Sequence, residues 1–350
     1  MNKLPLLKLI ITSIFLYFVF FSCKNTSEAK PLQIVSETLE ASIDTSKNSD
    51  SLVIDNQLIY ADEYNRRVLA LCHDSITKGW PVEGAVPAEG AILPFQRIVA
   101  YYGNFYSKHM GILGSLPEDE LIKNLETEVE KWKQADENTP VIPAIHYIAT
   151  TAQAKPGKGE TYRLRMPEKQ ILKAVEMARK INGISFLDIQ VGHSTVRKEV
   201  PWLEKYLLNK DVHLGLDPEW SMKDGSVPGK KIGTMDASDI NFVVDYLTAL
   251  VKKHNLPPKI LVIHRFTKGM ITHSDQIKTT PEVQLIISMD GFGFPAKKIN
   301  SYKTAITNYP VQFTGFKLFY ENDTKSKPYR MMTPVEILKL YPKPIYIQYQ

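Results

Sequence analysis

From residue 97 onward, short apolar runs alternate with longer stretches whose apolar positions recur at helical spacing. The runs are Arg97–Gly103, Val141–Thr150, Ile184–Gly192, Val212–Trp220, Lys259–Phe266, Val283–Gly291, Gly315–Tyr320 and Pro344–Tyr349. Several are almost continuous in Val, Ile, Leu and Phe, as strands covered on both faces should be. Pro117-Glu118-Asp119-Glu120 opens one intervening stretch and Pro167-Glu168 the next, with acids where a helix N-terminus favours them. Asp236-Ala237-Ser238-Asp239 opens a long helix to His254, which Leu256-Pro257-Pro258 stops. Thr333-Pro334-Val335-Glu336 has the spacing of a capping box with Pro at the first helical position. Strand and helix alternating in this way predict a single-domain (β/α)₈ TIM-type barrel. An open doubly wound sheet is the rival, and the count of runs favours the barrel. Residues 61–77 read as a helix ahead of the first strand, lying across the barrel bottom.

Active sites of such barrels lie at the C-terminal ends of the strands. Those ends hold Tyr101-Tyr102, His146-Tyr147, Asp188-Ile189-Gln190, Asp217-Pro218-Glu219-Trp220, His264-Arg265, Asp290-Gly291, Tyr320-Glu321-Asn322-Asp323 and Gln348-Tyr349. Polar groups there are costly inside a barrel unless paired, so their recurrence is a functional signal. Carboxylates facing each other across a cleft suit glycoside hydrolysis, with one protonated to donate and one ionised to attack or to activate water. Glu219 is the expected acid/base, with Asp188 or Asp290 as partner and Asp217 beside it. If the fourth strand ran far enough, Asp217 and Glu219 would share one face. Tyr102, His146, Gln190, Trp220, His264 and Arg265 are expected to bind substrate, as are Tyr320, Glu321 and Asp323 further on. Trp220, Tyr102, Tyr147, Phe292 and Tyr320 offer flat faces on which sugar rings stack. Asp217-Pro218 and Asp290-Gly291 also read as turn pairs, and Glu321–Asp323 as a solvated loop.

The alternatives are a glycan-binding protein without turnover and a metal-dependent hydrolase. His146, His264, Asp188, Asp217 and Asp290 are suitable ligand types, but no His-x-His pair or His-Glu-x-x-His helix spaces them, so no metal site is expected. The chain lacks a Gly-rich phosphate loop and a Gly-x-Ser-x-Gly elbow, and no cofactor is expected.

The N-terminus has a different pattern. Lys3 and Lys8 precede an apolar run from Leu9 to Phe21 that ends in Ser22-Cys23. This order is that of a secretory signal, and the run is short for a membrane span. Ser22-Cys23 resembles the lipobox of bacterial lipoproteins, with Phe20 where Leu is commoner. The resemblance implies a signal peptide over 1–22, diacylglycerol on Cys23 and acylation of the new amine, which together anchor the chain stably. Residues 24–55, rich in Ser, Thr, Asn and charge, read as a tether, placing lipidated Cys23 and tether at 23–56 and the barrel domain at 57–350. Lipidation leaves Cys72 alone, so the core rather than a disulfide must hold the fold. Losing Lys3 and Lys8 takes the formal charge from +5 to +3, too mild to argue for nucleic acid. Lys24, rather than Asp, after the cysteine points to the outer membrane. The expected partners are the membrane, through the Cys23 lipid, and a glycan; the expected state is a monomer.

Leu216-Asp217-Pro218-Glu219-Trp220, Ile232-Gly233 with Asp236 and Asn241, Leu261–Phe266 and Asp290-Gly291 together resemble a family of uncharacterised bacterial secreted proteins and lipoproteins. The similarity runs from about Val99 to Tyr349 and is most specific at Asp217-Pro218-Glu219-Trp220. It implies a glycosidase-like barrel and brings no established reaction. That family carries Gln after the fifth-strand His, where this chain has Arg265.

Overall fold

The computed structural model describes residues 49–350 apart from 326 and 328. The segment expected to be a signal peptide (1–22), Cys23 and residues 24–48 of the expected tether therefore lie outside the described residues. No helix among the described residues is long and apolar enough to cross a membrane.

The eight runs are eight parallel strands: β1 (Arg97–Gly103), β2 (Val141–Ala152), β3 (Ile184–Ile189), β4 (Val212–Leu216), β5 (Lys259–Arg265), β6 (Val283–Met289), β7 (Phe313–Leu318) and β8 (Tyr346–Tyr349). Each pairs with its sequence neighbours, and β8 returns to β1 with Val99 opposite Ile347, so the sheet closes into a (β/α)₈ barrel. A short antiparallel segment, Arg163–Arg165, extends the end of β2.

Helix α1 (Ser49–Leu71) begins inside the segment read as tether and ends earlier than residue 77. Left-handed His73 and Asp74 follow it and turn the chain. Its Tyr64, Val68 and Leu71 pack against the apolar lower interior of the barrel, formed by Ile98, Ala144, Phe186, Ile260, Ile286 and Phe313. α1 thus closes the bottom.

The outer helices follow their sequence signals. In α2 (Glu118–Ala135), acids fill the first turn while Leu121, Leu125, Val129 and Trp132 recur on the buried face. α3 (Glu168–Lys180) buries Ile171, Ala174, Val175 and Ala178 in the same way. Two shorter helices, α4 (Val196–Trp202) and α5 (Glu204–Leu207), connect β3 to β4. α6 (Ala237–His254) opens on a reciprocal Asp236/Asp239 capping box and ends at left-handed Asn255. α7 (Pro295–Tyr302) follows β6, and α8 (Pro334–Ile337) opens on the Thr333/Glu336 capping box.

Strand alternation divides the side chains. Val99, Ile145, Leu187, Leu214, Leu261, Ile287, Phe316 and Ile347 face the helices. Their neighbours face inward, apolar near α1 and polar toward the opposite end.

Candidate active site

At the C-terminal end, every strand sends a polar side chain inward from its end or just beyond it: Tyr102, His146, Asp188, Asp217, His264, Asp290, Lys317 and Gln348. Above this layer opens a cavity of about 600 Å³. Its lining includes Tyr102, Gln190, Asp217, Glu219, Trp220, Asp290 and Lys317, with Phe266, Phe292 and Phe319 as aromatic walls. His109 and Met110 reach it from the loop after β1. That loop folds back closely: a Cβ on Gly111 would lie 2.8 Å from the Gly103 Cα, and φ is +127° at Gly111 and +147° at Gly103. Only glycine accommodates both demands.

β4 stops at Leu216, so Asp217 and Glu219 are not alternate residues of one strand. Instead Pro218–Trp220 forms a 3₁₀ turn capped by Asp217, whose Oδ1 accepts from the Glu219 backbone N–H at 3.2 Å. Turn cap and site residue are therefore one and the same. Gln190 Nε2 donates to the other Asp217 oxygen at 3.3 Å, while Gln190 Oε1 accepts from the Ala152 N–H.

Asp290 is held by two donors. His264 Nδ1 lies 2.7 Å and Lys317 Nζ 3.1 Å from its Oδ2. The Lys317 ammonium also sits 3.8 Å from the centre of the Tyr102 ring. Burial alone would raise the Asp290 pKa, but His264 and Lys317 reverse this and hold it below the usual carboxylate range. Glu219 moves the opposite way, raised by burial and by the neighbouring negative charge of Asp290. No side chain among the described residues hydrogen-bonds its carboxyl group. Asp217 is pushed up to about 8, by burial and by the surrounding carboxylates.

Asp188 lies beneath the cavity, fully buried, with its Oδ2 accepting from the Tyr102 hydroxyl at 3.0 Å. Its Oδ1 faces His146 Nε2 at 3.4 Å and His264 Nε2 at 3.5 Å. These three atoms, brought within 4.8 Å of one another, could hold a metal ion. The sequence expectation of no metal site considered spacing along the chain; closure of the barrel brings β2, β3 and β5 residues together from distant positions.

Of the residues expected to bind substrate, His146 and His264 lie buried in the layer beneath the cavity without lining it, and four others stand elsewhere. Arg265 points away from the barrel interior, donating to the Thr267 and Lys268 carbonyls with its guanidinium over Tyr309. Alternation along β5 puts it opposite to His264. Tyr320 packs in an aromatic cluster outside the barrel, its hydroxyl near Tyr101 and Glu128. Glu321 is exposed in the turn after β7 and does not line the cavity. Asp323 is fully buried in an ion pair with Lys298 at 2.6 Å and accepts the Gly293 and Phe319 N–H groups. It braces the loops that carry Phe292 and Phe319. Of the aromatic platforms, Trp220, Tyr102 and Phe292 line the cavity, and Tyr147 stacks on Phe105 outside it.

Lys317 is the residue that sequence reasoning missed. Its signal was a lone lysine in the apolar run Gly315–Tyr320.

No family model matches the sequence, and no curated protein does. Solved structures resemble it in part, at low identity. A mannanase of Bacillus subtilis, man26, is 11% identical over 73% of this chain and 80% of its own, with a TM-score of 0.36. The YdhT protein from Bacillus subtilis is 14% identical over 73% and 81%, with a TM-score of 0.38. GH26C from Muricauda sp. MAR_2010_75 is 9% identical over 71% and 70%, with a TM-score of 0.31. These likenesses are too distant to carry an argument, and the barrel assignment stands on the strand pairing above.

Proposed function

We propose that this chain is a cell-envelope lipoprotein that hydrolyses glycosidic bonds, anchored through a lipid on Cys23 at the outer membrane. Glu219 is the acid/base and Asp290 its ionised partner. The observation that carries the reading is the opposite setting of these two carboxyl groups on one cavity. Asp290 receives two charge-assisted contacts, while Glu219 receives none and sits beside Trp220. One carboxyl group kept ionised and one free to hold a proton is the division of labour that glycoside cleavage requires. Glu219 protonates the departing glycosidic oxygen. Asp290, on the opposite side of the bond, attacks the anomeric carbon or takes a proton from water. Asp217 sets the turn that carries Glu219, and Trp220 and Phe292 offer stacking faces for sugar rings.

The test uses leaving groups. Glu219→Gln is expected to cut turnover on a polysaccharide by on the order of 10²–10⁴. It should leave 2,4-dinitrophenyl glycosides of the same sugar far less affected, because that phenolate departs without protonation. Equal loss on both would remove Glu219 from the acid role. A panel of polysaccharides and matching aryl glycosides, followed by reducing-end and phenolate release, makes the comparison. For the anchor, Cys23→Ser is expected to move the protein from the membrane to the soluble fraction and to abolish palmitate labelling; unchanged labelling would refute the lipid site.

A further inference from the structure

We propose that His146, Asp188 and His264 bind one divalent transition-metal ion of the zinc class, in the polar layer beneath the cavity. All three side chains are fully buried. His146 Nε2, Asp188 Oδ1 and His264 Nε2 each lack a hydrogen-bond partner, though they face one another. Three such orphans in one place are a large unpaid desolvation cost unless something else engages them.

The spacing says what that is. Asp188 Oδ1 is 3.4 Å from one imidazole nitrogen and 3.5 Å from the other. Charge-assisted N–H···O bonds are shorter, about 2.7–2.9 Å. Ligand atoms about 2.0–2.2 Å from a tetrahedral ion are separated by roughly 3.3–3.6 Å. Two edges of the cluster have that length.

The opposite end of each ligand is already fixed. His264 turns its Nδ1 to Asp290 at 2.7 Å, an imidazole–carboxylate pairing of the kind that orients metal-bound histidines. His146 turns its Nδ1 to the Tyr346 hydroxyl at 2.6 Å, and Gln348 Nε2 donates to that hydroxyl at 2.7 Å. Asp188 takes the Tyr102 hydroxyl on its other oxygen. Room for the cluster comes from Gly215, where a Cβ would fall 2.3 Å from Asp188 Oδ1 and 2.5 Å from His146 Nε2. The buried carboxylates of Asp188 and Asp290 stand on either side of His264 at the cluster. A set of two imidazoles and one carboxylate suits zinc or cobalt, with a further position left for water.

The inference does not rest on the glycosidic reading, and its test measures binding rather than turnover. The full chain, purified without a histidine tag, is stripped with EDTA and dialysed against excess Zn²⁺, Co²⁺ or Mn²⁺. The expected result is stoichiometric Zn²⁺ or Co²⁺, visible Co²⁺ bands of tetrahedral type, and zinc-edge X-ray absorption showing two imidazoles. Asp188→Asn and His146→Gln are expected to lose uptake, Asp290→Asn to weaken it about 10–100-fold, and His193→Ala, outside the cluster, to keep it. Failure of the wild-type chain to take up any of the three ions would overturn the proposal, since it would mean a histidine–aspartate network without metal. A bound zinc lacking two imidazoles would overturn it too. Those wild-type measurements decide the matter even where a variant does not fold.

Discussion

At the scale of single residues, the site is shaped by burial acting on carboxyl groups. Asp217 shows this most clearly. It is pushed up to about 8 from an ordinary 3.8, first by burial and then by the charges of Asp188, Glu219 and Asp290. The folded chain therefore holds a proton that the unfolded chain releases near pH 4. Between about pH 4 and pH 8 the native state binds more protons, so stability falls as pH rises through that window. Asp217→Asn keeps the shape and removes the titration. We expect its urea midpoint to decline less between pH 5 and pH 7.5 than that of the wild type, and parallel declines would show that Asp217 titrates normally. The residue types were legible in the sequence: Asp188, Asp217, Glu219, His264 and Asp290 stood out as polar groups ending apolar runs. Their division of roles was not. That Asp290 is paired and Glu219 free depends on Lys317 and His264, which approach from other strands.

At the scale of elements, local signals proved sufficient where the physics is local. Both capping boxes, the acidic start of α2 and the proline stop after α6 follow from a few adjacent residues. Strand ends were harder to place. β4 stops at Leu216 because Asp217-Pro218 turns the chain, so the alternation expected for Asp217 and Glu219 does not arise. Asp323 was misplaced for a related reason. A carboxylate in a polar loop looks solvated until its partner, Lys298 on α7, is known. This pair ties the loop after β7 to α7 and to the Lys317 carbonyl, which Lys298 Nζ also meets at 2.7 Å. Both side chains are fully buried, so Asp323→Ala leaves an uncompensated ammonium and is expected to cost about 3–5 kcal/mol. The double change Lys298→Met with Asp323→Leu should recover much of that loss. Urea denaturation of the three chains settles the comparison, and a double variant no more stable than Asp323→Ala would mean that loss of the Gly293 and Phe319 N–H contacts, not the unpaired ammonium, carries the cost.

At the scale of the whole molecule, what matters is closure. A parallel sheet leaves two unpaired edges unless its last strand meets its first. Here β8 pairs with β1 through Ile98–Tyr101 and with β7 through Gly315–Leu318. Beyond it, Gln350 donates to the Leu318 carbonyl and accepts from the Tyr320 N–H. β8 also supplies Tyr346 and Gln348 to the inner layer and Ile347 and Tyr349 to the outer core, so one short strand joins both cores. Its pairing with β1 joins residues about 250 apart in sequence, so that edge closes only when both ends of the chain meet. Deleting residues 344–350 should therefore do more than remove local stability. It opens β1 and β7 as edges and strips His146 of its Tyr346 contact. The expected outcome is loss of a cooperative urea transition together with association detected by size-exclusion chromatography. A truncated chain that stays monomeric and unfolds with an unchanged m-value would show that the barrel is stable while open. In that case the polar layer would hold its shape without the strand that completes it, and its geometry would have to come from the other seven strands alone.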